Sequence, residues 1–416
     1  MLAERRSMYR RRQLLAVGGS LGLLALSGCA GAPGGDDDRP LPVRPTGTWR
    51  QSGHDARNTS AADVAVPERG TAAWSGGDAA TVPPLCAGET VVSVGESLTA
   101  LDAATGDRRW RRDLDGDAPV ASVTQPALAD GHLVIGGTGR LRSVDPEDGG
   151  ERWGQPVEGA PIGPTTVGPD GDLGLVPFER PTEGDPVIEL VAFAVDSGET
   201  EWTAPLLSSV RTTPPAVFER RVYAVGYARD DTPIVRCLDA DDGALAWERE
   251  LADPTTPPVA TGDGILVGDD GRVAVYDPAD GERLASIGIT DGEIGAIAAA
   301  DGTAFVLSEA GLLATSLPEG SERWSVAGEA RALGIAVGRN AVVAPMSSPA
   351  FDLDTSWPCI AAFDRRDGGV RWYHAIDDAF DPAIGAPPVL ADGAVLAISN
   401  TRSGTTALGD LPPREA

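Results

Sequence analysis

A carboxylate, a glycine and a tryptophan stand within nine residues in Asp102-Ala-Ala-Thr-Gly106-Asp-Arg-Arg-Trp110. In one site, such an Asp could serve as a base or a metal ligand, and such an indole could stack on a planar ligand. The same frame, Asp-x-x-x-Gly-x-x-x-Trp, returns with substitutions at 145–153, 194–202, 239–247, 277–285, 316–324 and 364–372. Its glycine is kept in every copy: Gly106, Gly149, Gly198, Gly243, Gly281, Gly320 and Gly368. Its tryptophan is Trp110, Trp153, Trp202, Trp247, Trp324 and Trp372, with Ala285 in the remaining copy, and its Asp gives way to Ala194 and Ser316. Successive glycines lie 38 to 49 residues apart, the spacing of a repeated supersecondary unit. The repetition makes these residues scaffold, so chemistry has to be sought elsewhere.

Elsewhere the supply is thin. The three histidines, His54, His132 and His374, are isolated in sequence, and asparagine occurs only as Asn58, Asn340 and Asn400. Asp113-Leu-Asp115-Gly-Asp117 begins like an EF-hand loop, but Ala118 stands where glycine is needed and Thr124 where a bidentate Glu should close the shell. Asp377, Asp378 and Asp381 form a similar acidic turn. No G-x-S-x-G elbow and no phosphate-binding loop is present. Cys86, Cys237 and Cys359 each lie in or beside an apolar strand and read as buried free thiols. No catalytic, cofactor-binding or metal-binding residue is assigned.

The elements that carry the frame read as strands. In 83–110, short β-forming runs at 90–94 and 98–101 are separated by glycine turns, and none is long or periodic enough for a helix. Segments 126–145, 257–277 and 387–408 repeat that phrasing. Each unit gives three strands, the Asp-x-x-x-Gly turn and a fourth strand starting near Trp, which is a propeller blade. Asp would fold its carboxylate onto the backbone two residues on, Gly would supply a positive φ, and Trp would fill the gap between blades. Trp74 stands alone, without an upstream Asp-x-x-x-Gly turn, and 387–408 offers three strands without a tryptophan. Joined, they make one composite blade that closes the ring without free edges. The fold expected is all-β: an eight-bladed propeller over 46–410 with a short tail, 411–416. A seven-bladed ring is the alternative if the Ala285 or Ser316 unit is merged.

The N-terminus reads as an address. Arg10, Arg11 and Arg12 precede an apolar run at 14–26, too short to span a bilayer. Arg11-Arg12-Gln-Leu-Leu resembles a twin-arginine export signal, and Leu26-Ser-Gly-Cys29 resembles a lipobox in which Cys29 is lipidated. Residues 1–28 would then be removed and 29–45, rich in Gly, Pro and Asp, would form a flexible tether. The chain has 34 basic against 62 acidic residues, a net charge of −28, and every basic residue is arginine. Such a surface repels nucleic acid and suits concentrated salt, where charge repulsion is screened.

Ala-Leu-Asp-Ala-Ala-Thr-Gly-Asp-x-x-Trp resembles the repeat of the pyrroloquinoline quinone (PQQ) repeat propellers, over about four-fifths of the chain. The opening Gly47-Thr-Trp49-Arg-Gln-Ser-Gly-His54-Asp-Ala-Arg-Asn58-Thr is similar to the lead-in of haloarchaeal members. The resemblance implies either a quinoprotein dehydrogenase or a non-enzymatic lipoprotein of outer-membrane assembly type. The dehydrogenases use a carboxylate base, a calcium held by Glu, Asn and Asp against the quinone, and often adjacent cysteines or a haem. This chain has no adjacent cysteines and no Cys-x-x-Cys-His. The expectation is therefore a monomeric, non-catalytic, lipid-anchored platform on the outer face of the cytoplasmic membrane, without cofactor. A PQQ- and calcium-dependent dehydrogenase and a solute- or polysaccharide-binding surface protein are the alternatives. Loops joining strands 2–3 and 4–1 share one face, and the long insertions at 179–186, 227–233, 345–358 and 373–386 all fall there. Phe351, Trp357, Tyr373 and Phe380 are the aromatic contacts expected on that face for a protein partner.

Overall fold

Alternation of β-branched residues with turn glycines produces short antiparallel strands, four of which pair in order around each Asp-x-x-x-Gly turn. The computed structural model describes residues 38–412 except 79, 81, 96, 114–123, 184–185, 208–212, 229–230, 290–291, 331–333, 347–350, 352–358, 376–385 and 399–403. Every regular element among the described residues is a strand, and the strands form eight sheets. Blade 1 runs from Leu85–Ala87 to Arg108–Asp113, and blade 2 from Ala127–Ala129 to Glu151–Pro156. Blades 3 to 7 follow in chain order, ending at Thr200–Leu207, Leu245–Glu250, Arg283–Gly288, Glu322–Ala327 and Val370–Ala375. Blade 8 is composite: Val389–Ala391, Ala394–Ile398 and Thr405–Gly409 pair with Thr71–Gly76, so Trp74 lies opposite Ala407. The all-β, eight-bladed ring and its closure stand as expected.

The joint between blades is the repeated frame. All five Asp residues accept the backbone N–H two residues on through Oδ1, from Asp102 to Ala104 through Asp364 to Arg366, at 2.8 to 3.0 Å. The glycine N–H donates to the carbonyl of the residue heading each turn, and the seven glycines have φ between +69° and +77°. In six of the seven turns the glycine faces the preceding blade's tryptophan: a Cβ on Gly243 would meet Trp202 at 2.6 Å. Each of the seven blade tryptophans donates its Nε1–H to a carbonyl of the next blade, at 2.7 to 3.2 Å. The indole therefore both fills the seam and satisfies its one donor. The exception is the Ala285 seam, where Ile287, two residues on, packs against Gly320 instead. Most of the core lies across such seams: Tyr223, Cys237 and Trp247 of blade 4 pack on Ile265, Val267 and Ala274 of blade 5.

The structure corrects the account of Trp74. It does have a turn, because Gly70 stands four residues before it and packs on Trp372. Pro67, three residues before Gly70, accepts the Trp372 Nε1–H. Only the Asp is displaced: Asp410, from the other end of the chain, accepts the Arg69 N–H at 2.7 Å. The turn is split between the termini and rebuilt without a covalent link, with Arg371 holding Glu68 alongside.

Candidate functional site

The first strands of neighbouring blades touch one another around the ring and form its inner wall. That wall surrounds part of the chain itself. Residues 46–66 pass from blade to blade by main-chain contacts. The carbonyls of Gly47, Arg50, Ala56, Arg57, Thr59, Ser60 and Ala65 accept N–H groups from Gly88, Leu128, Val217, Ala260, Ala299, Val337 and Gly393. Blade 3 is reached by a side chain, with Gln51 Oε1 accepting the Val167 N–H at 2.8 Å. Trp49 is 2% exposed and pairs opposite Cys86. The amide of Asn58 donates to the Pro214 and Pro258 carbonyls. Asp55 ties the bend, accepting the Arg57 and Thr59 N–H groups and the Thr59 hydroxyl. His54, Asn58 and Ser60 take positive φ, which lets the segment coil inside a narrow wall. This axial role was missed at the sequence level; the signal was a polar stretch, 50–60, lacking the strand alternation found everywhere else.

His54 lies in that segment, edge-on to Trp49 at 4.9 Å, with Nε2 against the Thr48 carbonyl at 3.1 Å. Burial holds its pKa below the ordinary imidazole value. His132 is in a strand of blade 2, with Nδ1 2.8 Å from the Ser143 hydroxyl. His374 is in the last strand of blade 7. Cys86, Cys237 and Cys359 are buried and not joined in disulfides, and burial pushes Cys86 up to about 12 and Cys237 and Cys359 to about 11. Thiols held protonated in this way are packing groups.

Among the described residues, no cluster of three or more His, Cys, Asp or Glu side chains could hold a metal ion. The axis is occupied by 46–66, where the Asn58 Nδ2 donates to backbone carbonyls and the buried Oδ1 has no hydrogen-bond partner. A groove of about 570 Å³ lies on the rim between blades 4 and 5, lined by Arg249, Glu250, Tyr276, Asp280, Gly281, Glu282 and Arg283. The Arg249 guanidinium there donates to the Gly281, Asp280 and Glu248 carbonyls, which makes it part of the joint.

The two faces differ. The turns joining strands 3 and 4 are uniform, since each carries the frame. Opposite them, the loop between Leu173–Arg180 and Val187–Ala194 and that between Arg221–Tyr227 and Pro233–Asp239 are extended. The stretch between Ala341–Met346 and Cys359–Asp364 is longer still. Two of the four expected contact aromatics are brought together: Phe351 stacks on Tyr373, with ring centroids 4.8 Å apart, and on Phe363 at 6.2 Å. Phe351 is only 5% exposed, so it is turned inward; Tyr373 is half-buried. Trp357, Phe380, the acidic turns at 115–117 and 377–381, and Arg11, Arg12 and Cys29 lie outside the described residues. No described helix is long and apolar enough to cross a membrane.

Comparison with known proteins agrees with this architecture. A family model described as "Outer membrane protein assembly factor BamB" (PQQ_2) matches residues 57–168 and 184–327, more than half of the chain. No curated protein sequence matches. Among solved structures, BamB from Moraxella catarrhalis is 15% identical with a TM-score of 0.58, covering 83% of this chain and 99% of that one. Quinohemoprotein alcohol dehydrogenase from Comamonas testosteroni is 14% identical with a TM-score of 0.64, covering 89% and 82%. The C-terminal WD40 domain of Sif2 is 10% identical with a TM-score of 0.56, covering 91% and 100%. Identities this low carry the fold, and the fold is shared by an assembly factor and an enzyme. With its frame, its seams and the family match in agreement, the chain belongs to the PQQ_2 family of β-propellers.

Proposed function

We propose that the protein is a non-catalytic, exported and lipid-anchored propeller whose insertion face binds a protein partner at the cell surface. The observation that carries this reading is the asymmetry of the two faces. One face has uniform turns, and the chain's own segment 46–66 fills the axis from that side. The other gathers the insertions of blades 3, 4 and 7. Extended loops on one side of a rigid repeat scaffold are where binding surfaces form. The match to an assembly-factor family supports the same reading. Replacing 352–358 by a short turn, with Phe351 kept, should remove bound proteins from a pull-down while leaving the melting profile intact; an unchanged set of partners refutes the platform. Incubation with PQQ and calcium should leave no quinone absorbance on the protein. Retained quinone together with dye reduction by alcohols or sugars would establish a dehydrogenase instead.

A further inference from the structure

The repeat supplies its own control for the groove between blades 4 and 5. Arg112 and Arg249 stand two residues after Trp110 and Trp247. Each donates to the carbonyl of the next blade's frame glycine, Arg112 to Gly149 at 2.7 Å and Arg249 to Gly281 at 2.9 Å. In blade 2, Glu151 stands two residues after Gly149 and neutralises Arg112 at 2.9 Å. The register puts Arg283 in the same place in blade 5: Glu151 pairs opposite Val144 and Arg283 opposite Tyr276, just before Asp145 and Asp277. Blade 5 therefore has a guanidinium where blade 2 has the carboxylate. Arg249 is bonded to neutral carbonyls and Arg283 to the Ser286 hydroxyl at 2.8 Å; among the described residues neither is in an ion pair.

Both arginines are exposed and line the groove of about 570 Å³, together with Tyr276, which is 4% exposed. Burial pushes the Tyr276 hydroxyl above its ordinary pKa, and the Arg283 and Arg249 charges both act against it, so the two converge on one hydroxyl. The groove also carries the opposite charge. Asp280 is turned into its own turn, where Oδ1 accepts the Glu282 N–H at 2.8 Å. Glu250 and Glu282 line the groove and, among the described residues, form no ion pair. We propose that this groove binds a small zwitterion of amino-acid type, with its carboxylate on Arg249 and Arg283 and its ammonium on Glu250 and Glu282. A guanidinium presents N–H groups in the fork that a carboxylate matches. A plain anion would be repelled by a chain of net charge −28, whereas a zwitterion carries no net charge and escapes that repulsion. The site lies on the rim and owes nothing to the insertion loops, so it stands or falls apart from the partner-binding face.

Calorimetric titration of the full-length chain with glycylglycine tests this. Glycylglycine amide lacks the carboxylate and N-acetylglycylglycine lacks the ammonium. Glycylglycine should bind, and each blocked form should bind at least about ten-fold more weakly, as the loss of hydrogen bonds to a charged group requires. Arg283→Glu copies the pairing of Arg112 with Glu151, so it should keep the melting temperature and weaken glycylglycine by a similar factor. Should that variant melt early, Arg283→Gln, which removes the charge alone, carries the comparison. No binding in the millimolar range, equal binding of a blocked form, or undiminished binding by a folded Arg283 variant overturns the site. The two arginines are then solvated surface charges.

Discussion

The glycine of each repeat has two separate reasons to be glycine. At Gly243 φ is +69°, which costs an L residue about 1–2 kcal/mol, and a Cβ would also meet the Trp202 ring at 2.6 Å. Gly88 has φ +57° but nothing within 4 Å of its Cβ position. Gly243→Ala should therefore destabilise by about 3 kcal/mol or more, adding overpacking to strain, and Gly88→Ala by about 1 kcal/mol. Urea midpoints of the two variants check this; equal losses would mean that the indole yields freely. Ile287 extends the same logic. It packs on Gly320 where the other seams have a tryptophan, so Ile287→Ala should leave a cavity costing about 2–4 kcal/mol. A loss within error of zero would show that the seam closes without it.

Among the elements, the split turn decides whether the ring closes. In seven blades the residue heading the turn, Asp in five of them, and the Gly are joined through three residues of chain; in blade 8 they are Asp410 and Gly70, brought together only by the fold. Asp410→Ala should release the Arg69 N–H and cost about 1 kcal/mol, as the loss of a capping carboxylate does. It should also speed proteolysis in the segment that pairs Thr71–Gly76 with Thr405–Gly409, since local opening there needs no other strand to move. Asp277→Ala, within a covalent turn, should cost a similar amount without exposing the termini. Cleavage patterns that do not differ between the two would remove the special standing of the closing blade.

For the whole molecule, charge and the axial segment set the response to solvent. Against the opposing effect of burial, the Arg109 guanidinium and then the Ala104 and Thr105 N–H groups hold Asp102 below the ordinary carboxylate pKa, as the Glu147 N–H and then the Arg152 guanidinium hold Asp145. Burial holds His54 and His132 below the ordinary imidazole value. Both shifts act in one direction: between the folded and the unfolded pKa the unfolded chain binds more protons, so stability rises with pH. The histidine contribution is complete above pH ~6.5 and falls away below it, while the carboxylate contribution is lost only below pH ~4. Denaturation midpoints should drop between pH 7.5 and 5, and His54→Gln should flatten that slope. A slope that His54→Gln leaves unchanged would locate the titration elsewhere. The net charge of −28 adds self-repulsion that salt screens, so the melting temperature should climb between 0.1 and 2 M KCl, more steeply at low salt.

Repetition made the fold legible. A frame copied seven times states its own period, and the residue types within it state their local tasks, because an Asx turn, a positive φ and a seam-filling indole are decided by neighbours a few residues away. Sequence alone therefore determined the class, the blade number and the pairing of Trp74 with the C-terminal strands. Tertiary structure decided what depends on contacts between distant segments. The turn before Trp74 was invisible because its carboxylate, Asp410, lies 341 residues from the N–H it holds. The polar lead-in at 46–66 became an axial filling only once eight blades surrounded it, seven of them bonding its main-chain carbonyls and one the Gln51 side chain. Phe351, one of four aromatics in outwardly similar loops, turned inward because Tyr373 and Phe363 offered it a stacking surface. Local rules repeat and can be counted along the chain; closure, filling and burial are properties of segments that meet only when the ring is complete.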